Sequence, residues 1–168
     1  MIPPLIVEYA LEAGLDLIAI TDHNSTANVA AVQKAAEGTT LIVLPGMELQ
    51  TREDVHSICL FDTLEQAIRF QSIVSAALPS KTNQPDFFGE QFIVDETGEF
   101  IRREEQLLIT AASLSLNEAF KEVTDLGGLF IPAHINRKTF GLIETLGFVP
   151  FDIPFKALEI SRHITPEI

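Results

Sequence analysis

The sequence predicts an α/β fold with a mainly parallel sheet, and three observations lead there. Short apolar runs alternate with stretches of helical length, in a repeating strand, loop, helix order. The run Leu15-Asp16-Leu17-Ile18-Ala19-Ile20 is mostly apolar, as expected of a strand covered on both faces. Hydrophobic residues make up 46% of the chain and charged ones 21%, enough apolar material for a core within one domain of 168 residues.

Taken in order, the first element is a helix from about Pro3 to Ala13, with Pro4 in its first turn and Gly14 just past its end. The strand Leu15–Ile20 follows and stops at the polar Thr21–Ser25. A helix from Thr26 to about Ala36 is capped by Asn24 or Ser25 and stopped by Gly38. Thr40–Leu44 reads as a second strand, broken by Pro45-Gly46. Met47–Thr51 and Val55–Phe61 are two more strands joined by the charged turn Arg52-Glu53-Asp54. Leu64–Leu78 has helical periodicity and ends before Pro79. Pro79–Glu90 is a long polar connection, and Phe92–Ile101 is a small hairpin around Thr97-Gly98. Together they suggest an insertion around residues 79–113. Ser115 and Glu118 have capping-box spacing, so a helix runs to Leu126 before Gly127-Gly128. The strand Leu129–Ala133, a short helix at Phe140–Leu146 and a strand Ala157–Ile160 complete the series.

Charge and composition then restrict the function. A net charge of −13 and a pI near 4.5 argue against binding of duplex nucleic acid or anionic membrane through clustered Lys and Arg. The single cysteine, Cys59, excludes an intrachain disulfide framework and suits a reducing, cytoplasmic compartment. No apolar stretch is long enough for a membrane span, and Met1-Ile2-Pro3-Pro4 does not open a signal peptide.

The four histidines are the main clue. His23 follows the first predicted strand, His134 follows Leu129–Ala133 and His163 follows Ala157–Ile160, while His56 lies within its own strand. The C-terminal ends of parallel strands converge on the functional face of α/β folds, so residues far apart in sequence can meet there. Glu48 adds a carboxylate near the Pro45-Gly46 break. A mixed nitrogen and oxygen donor set suits Zn, Mn or Fe rather than an all-oxygen Mg or Ca site. Each residue alone has an ordinary structural explanation, as a turn, cap or surface residue. The signal lies in the set.

These segments resemble the PHP (polymerase and histidinol phosphatase) superfamily. Gly14–Asn24, with Thr21-Asp22-His23-Asn24 at its end, is similar to the family's second motif. Pro45-Gly46-Met47-Glu48, followed by His56, resembles its glutamate and next histidine, and Gly127–His134 resembles its third motif. Leu158-Glu159-Ile160 resembles the strand before the last motif. The resemblance implies a distorted (β/α)7 TIM-like barrel with up to three divalent metals at its strand ends. It implies that Glu48 bridges two metals, that His56 and His134 complete the shell of one, and that His23 binds the third. Asp22 would stand behind the ligands and orient one of them, Arg137 is a candidate phosphate contact, and His163, which matches none of the family's ligands, is left as a residue that could face a phosphate. The family's opening H-x-H and closing D-x-H motifs have no counterpart, so the expectation is an incomplete barrel, from an internal fragment or a chain begun at a late Met.

The resemblance implies phosphoester hydrolysis by metal-activated water, on a small phosphorylated metabolite or nucleotide, with metals rather than Lys or Arg supplying positive charge. A non-catalytic binding or regulatory module holding at most one metal is the alternative. An unclosed barrel also exposes strand edges, so self-association is expected.

Overall fold

A computed structural model describes residues 1–162. It opens with α1 (Pro3–Glu12), which starts on proline and ends ahead of Gly14, whose φ of 70° is cheap only for glycine. There follow β1 (Leu17–Ile20), α2 (Val29–Ala35), β2 (Ile42–Gln50), β3 (His56–Leu60) and α3 (Leu64–Ala77). An arm then carries α4 (Pro85–Phe88) and the hairpin β4 (Phe92–Val94) with β5 (Phe100–Arg103). The chain returns through α5 (Leu116–Asp125), β6 (Leu129–Pro132) and α6 (Leu142–Leu146). α3 and α5 start on reciprocal caps, Thr63 with Gln66 and Ser115 with Glu118.

The main sheet has the order β1-β2-β3-β6. Only β1 and β2 are parallel, while β2–β3 and β3–β6 are antiparallel, so the sheet is mixed rather than mainly parallel. For β2 and β3, connection length explains the direction. Thr51 donates its N–H to Val55 O and accepts one from Asp54, closing a turn too short for any parallel crossover. The predicted break at Pro45-Gly46 is not a break either: β2 runs through it and changes partner there. Residues 42–45 pair with β1, and residues 46–50 pair with β3. Gly46 is required at that switch, because a Cβ would meet Leu60 Cδ2 at 2.9 Å and Cys59 O at 3.0 Å.

Two further expectations change. β1 is covered on both faces only at Ile20, since it lies at the sheet margin and leaves Leu17 exposed. Residues 157–160 form no regular strand. They run extended beside the end of β6, with Glu159 N–H donating to Pro132 O and Ile135 N–H donating to Glu159 O. A main apolar cluster joins β2, β3 and β6 to α3 and α5 through Met47, Cys59, Phe70, Val74, Val123 and Phe130. A smaller one packs α1 and α2 on β1 and β2 through Val7, Ile20, Val29, Val32 and Val43.

The arm folds back against the start of α2. Asn28 donates to Phe92 O and accepts from Val94 N–H, both at 3.1 Å, and Lys34 pairs with Glu96. Asp95 closes the hairpin turn by accepting from the N–H groups of Thr97 and Glu99. Among the described residues no helix is long and apolar enough to cross a membrane.

Candidate metal centre

The site is assembled on the partner switch of β2. Past Gly46, β2 carries Glu48 opposite Ile58 and Gln50 opposite His56, so Glu48 and His56 share one face as diagonal neighbours. Beyond β1, the chain clips to β2 through Glu48 N–H to Asp22 O (3.1 Å) and Asn24 N–H to Glu48 O (3.0 Å), which sets His23 beside Glu48. Asn24 turns the chain at a φ of 50° and is fully buried. Its amide donates to Leu108 O and Thr110 O at 2.7 and 2.8 Å and accepts from Gln50 N–H at 3.0 Å. One side chain thereby binds the loop after β1, the end of β2 and the returning arm.

Around Glu48 the three histidines divide. Oε1 lies 2.9 Å from His56 Nδ1 and 3.6 Å from His134 Nε2, whereas Oε2 lies 3.8 Å from His23 Nε2. One donor atom from each of His23, Glu48 and His56 falls within 4.8 Å of the others. His56 is buried, His134 nearly so, and His23 opens to solvent at 41% exposure. Burial pushes the Glu48 carboxyl upward, but the hydrogen bond from His56 and the neighbouring imidazoles outweigh it and hold the group below its ordinary value. Burial raises the Asp22 carboxyl above its ordinary value, against weaker opposing pulls from Asn28 and His23.

Both ring nitrogens of His134 are buried with no hydrogen-bond partner among the described residues. A buried imidazole left so is costly unless another group satisfies it. Imidazole and carboxylate donors fit a borderline divalent cation, so the residues present suit a metal.

The other predicted residues spread outward. Asp22 directs its carboxylate to Asn28 Nδ2 at 3.5 Å rather than to a histidine. Arg137 is exposed on the loop after His134, and its N–H donates to His134 O at 2.8 Å. His163 lies outside the described residues. Sequence reasoning missed two groups. Phe140 stacks on His56 with centroids 4.3 Å apart and planes 5° apart, and its carbonyl accepts the His56 N–H. Glu159 accepts from the His134 N–H at 3.1 Å. Nothing in the polar loop around Phe140 marks it in the sequence, since the contact depends on a φ of 60° at a non-glycine residue. Asn24, His134 and Phe140 all have positive φ, and such strain concentrates at functional sites.

No family model and no curated protein matches the chain. Solved structures do. The lesion-specific endonuclease PfuEndoQ from Pyrococcus furiosus aligns over 98% of this chain and 38% of its own, with a TM-score of 0.64 at 19% identity. A protein from Bifidobacterium adolescentis described as a candidate metal-dependent phosphoesterase aligns over 99% of this chain and 74% of its own, with a TM-score of 0.64 at 20% identity. Endonuclease Q in complex with a 27-mer duplex bearing an abasic lesion at the active site aligns over 94% of this chain and 37% of its own, with a TM-score of 0.59 at 19% identity. The chain thus spans well under half the length of the endonucleases it matches.

That complex overturns the expectation of a small phosphorylated substrate with duplex nucleic acid excluded. The exclusion rested on net charge, which averages the whole surface, whereas a phosphate meets only the local field of its site. The chain shares the fold of these proteins.

Proposed function

We propose that this chain is the metal-binding part of a PHP-type, metal-dependent phosphoester hydrolase whose substrate is nucleic acid. The observation that carries the reading is Glu48, with His56 and His134 toward one carboxylate oxygen and His23 toward the other. The fold likeness to a lesion-specific endonuclease and to a candidate phosphoesterase supports it. In this reading the sheet is part of a distorted (β/α)7 barrel, and residues 79–113 are an insertion in it.

His23, Glu48, His56 and His134 would hold the cations, of Zn, Mn or Fe type. When bound, such cations polarise phosphoryl oxygens and lower the pKa of water toward neutrality. The chain's own residues do the rest. Glu48 supplies an ionised carboxylate, kept so by its histidines. Phe140 and Glu159 fix the rings and backbone of His56 and His134. Asp22 lies beside His23 with its carboxylate turned to Asn28, and Arg137 is placed to meet a phosphate from the loop after His134.

The test compares metal content and hydrolysis in the wild type, His56→Ala, His134→Ala and Glu48→Gln, using Mn2+, bis(p-nitrophenyl) phosphate and an end-labelled oligonucleotide. Each substitution is expected to lower metal affinity by more than the roughly 10–100-fold that loss of a supporting partner costs. Hydrolysis should fall in parallel. Unchanged metal content in all three variants overturns the site. Bound metal without hydrolysis of either substrate supports a non-catalytic module instead.

A further inference from the structure

The sheet sets His56 and His134 directly, but not His23. His56 lies in β3, and Ala133, next to His134, donates its N–H to His56 O at 2.9 Å. His23 lies beyond the end of β1 and meets β2 through an isolated bridge to Glu48. Its position therefore depends on what holds the chain just after it.

That stretch needs holding. Asn24, Ser25 and Thr26 are all buried, and Asn24 sits at a φ of 50°. Buried backbone groups require partners, and a left-handed residue other than glycine persists only where its surroundings fix it. Two of these groups find their partner in one side chain of α3. Gln71 Oε1 accepts from the Thr26 N–H at 2.6 Å, and Gln71 Nε2 donates to Asn24 O at 3.2 Å. The Thr26 hydroxyl donates to the same Oε1 at 3.3 Å, and Nε2 also donates to Ser75 Oγ at 3.0 Å. One amide thus serves residues 24–26 as a neighbouring strand would, with an acceptor and a donor. Gln71 is firmly mounted, because Ala67, Phe70 and Val74 on the same helix are fully buried in the main apolar cluster.

The hold acts on one side of the metal centre. Gln71 grips the chain one and three residues past His23, whose Nε2 lies 3.8 Å from Glu48 Oε2. His56 and His134 face the other oxygen, Oε1, and are carried by β3 and the end of β6. Without the amide, Asn24 is free to return to the right-handed region, which carries His23 away from Oε2.

We propose that Gln71 is a positioning residue for His23: by gripping Asn24 O and the Thr26 N–H it keeps the imidazole at Glu48 Oε2 and sets the affinity for a cation there. It touches no cation itself. The proposal rests on the metal-centre reading and adds to it a residue from α3.

The test is a double-mutant cycle on the whole chain with wild type, Gln71→Met, His23→Ala and the double variant. Zn2+ affinity is read by chelator competition, and ligand geometry by the Co2+ absorption spectrum. Gln71→Met keeps the side-chain length and removes both hydrogen bonds, so it should weaken Zn2+ binding about tenfold. The double variant should bind no more weakly than His23→Ala alone. The Co2+ spectrum of Gln71→Met should move toward that of His23→Ala. Gln71→Glu, which keeps the acceptor for Thr26, should fall between wild type and Gln71→Met. Unchanged affinity in Gln71→Met, or losses that simply add in the double variant, overturns the proposal, because a general loss of stability would not depend on His23. If Gln71→Met does not fold, the cycle is run with Gln71→Glu and judged by the same additivity. Proton NMR of the histidine rings in EDTA gives a reading without metal. The His23 signal should shift in Gln71→Met while that of His134 stays, and an unmoved His23 signal overturns the proposal. Wild type that takes up neither Zn2+ nor Co2+ overturns the metal-centre reading, and the NMR result then judges the positioning of His23 separately.

Discussion

His56 is held from three directions: Glu48 at its Nδ1, Phe140 across its ring and the Phe140 carbonyl at its backbone. Replacing Phe140 with Leu keeps apolar volume but removes the stack, which is worth roughly 1 kcal/mol. Thermal unfolding in EDTA should show that loss, and competition with a chromogenic chelator should show weaker Zn2+ binding than in the wild type. Asp22 makes a different prediction. Its folded pKa is raised above the unfolded value, so the folded state favours the protonated form, and that advantage is lost as pH rises through the folded pKa. Asp22→Asn should therefore stabilise the metal-free chain at pH 7 and leave it unchanged at pH 3, below the ordinary carboxylate range. Denaturant melts at the two pH values would show it, and equal effects at both would refute the burial argument. At this scale the juxtaposition of His23, Glu48, His56 and His134 was legible, because histidines are few and two of them, His23 and His134, follow predicted strands. Phe140 and Glu159 were unreadable, because they act through a left-handed backbone and a long-range hydrogen bond that no local pattern encodes.

Among the elements, β2 does the most to position the site. It exchanges a parallel neighbour for an antiparallel one at Pro45-Gly46, and only past that point does it present Glu48 to His56. Gly46→Ala would press a methyl group against Leu60, the Cys59 carbonyl and Thr21 within 3.0 Å. The expected cost is about 1–3 kcal/mol, seen as a lower urea midpoint at unchanged m-value, and an unchanged midpoint would show that the strands part freely there. The helices were the most legible elements, since Thr63-Gln66 and Ser115-Glu118 carry their capping chemistry in local spacing. Strand direction was less legible. Pro-Gly ordinarily signals a turn, and apolar runs such as Leu129–Pro132 look alike whether their neighbours are parallel or antiparallel.

For the molecule as a whole, Cys59 reports on integrity. It is fully buried in the main apolar cluster, and burial raises its thiol far above the ordinary range. Its reaction with a thiol reagent should follow global unfolding and rise steeply only across the denaturation transition. Rapid labelling under native conditions would mean that the sheet opens locally at β3. The charge balance was the least informative global quantity, because −13 describes a surface average while Glu48 sits among three imidazoles. Asn24 carries a consequence in time rather than space. Its amide bonds to Leu108 and Thr110 span 84 and 86 residues, whereas the backbone clips that set His23 beside Glu48 join segments far closer along the chain. Closing the longer loops is entropically slower to be rewarded. Loop closure therefore predicts that His23 and Glu48 come together before the arm locks, so that assembly runs from the chemistry outward.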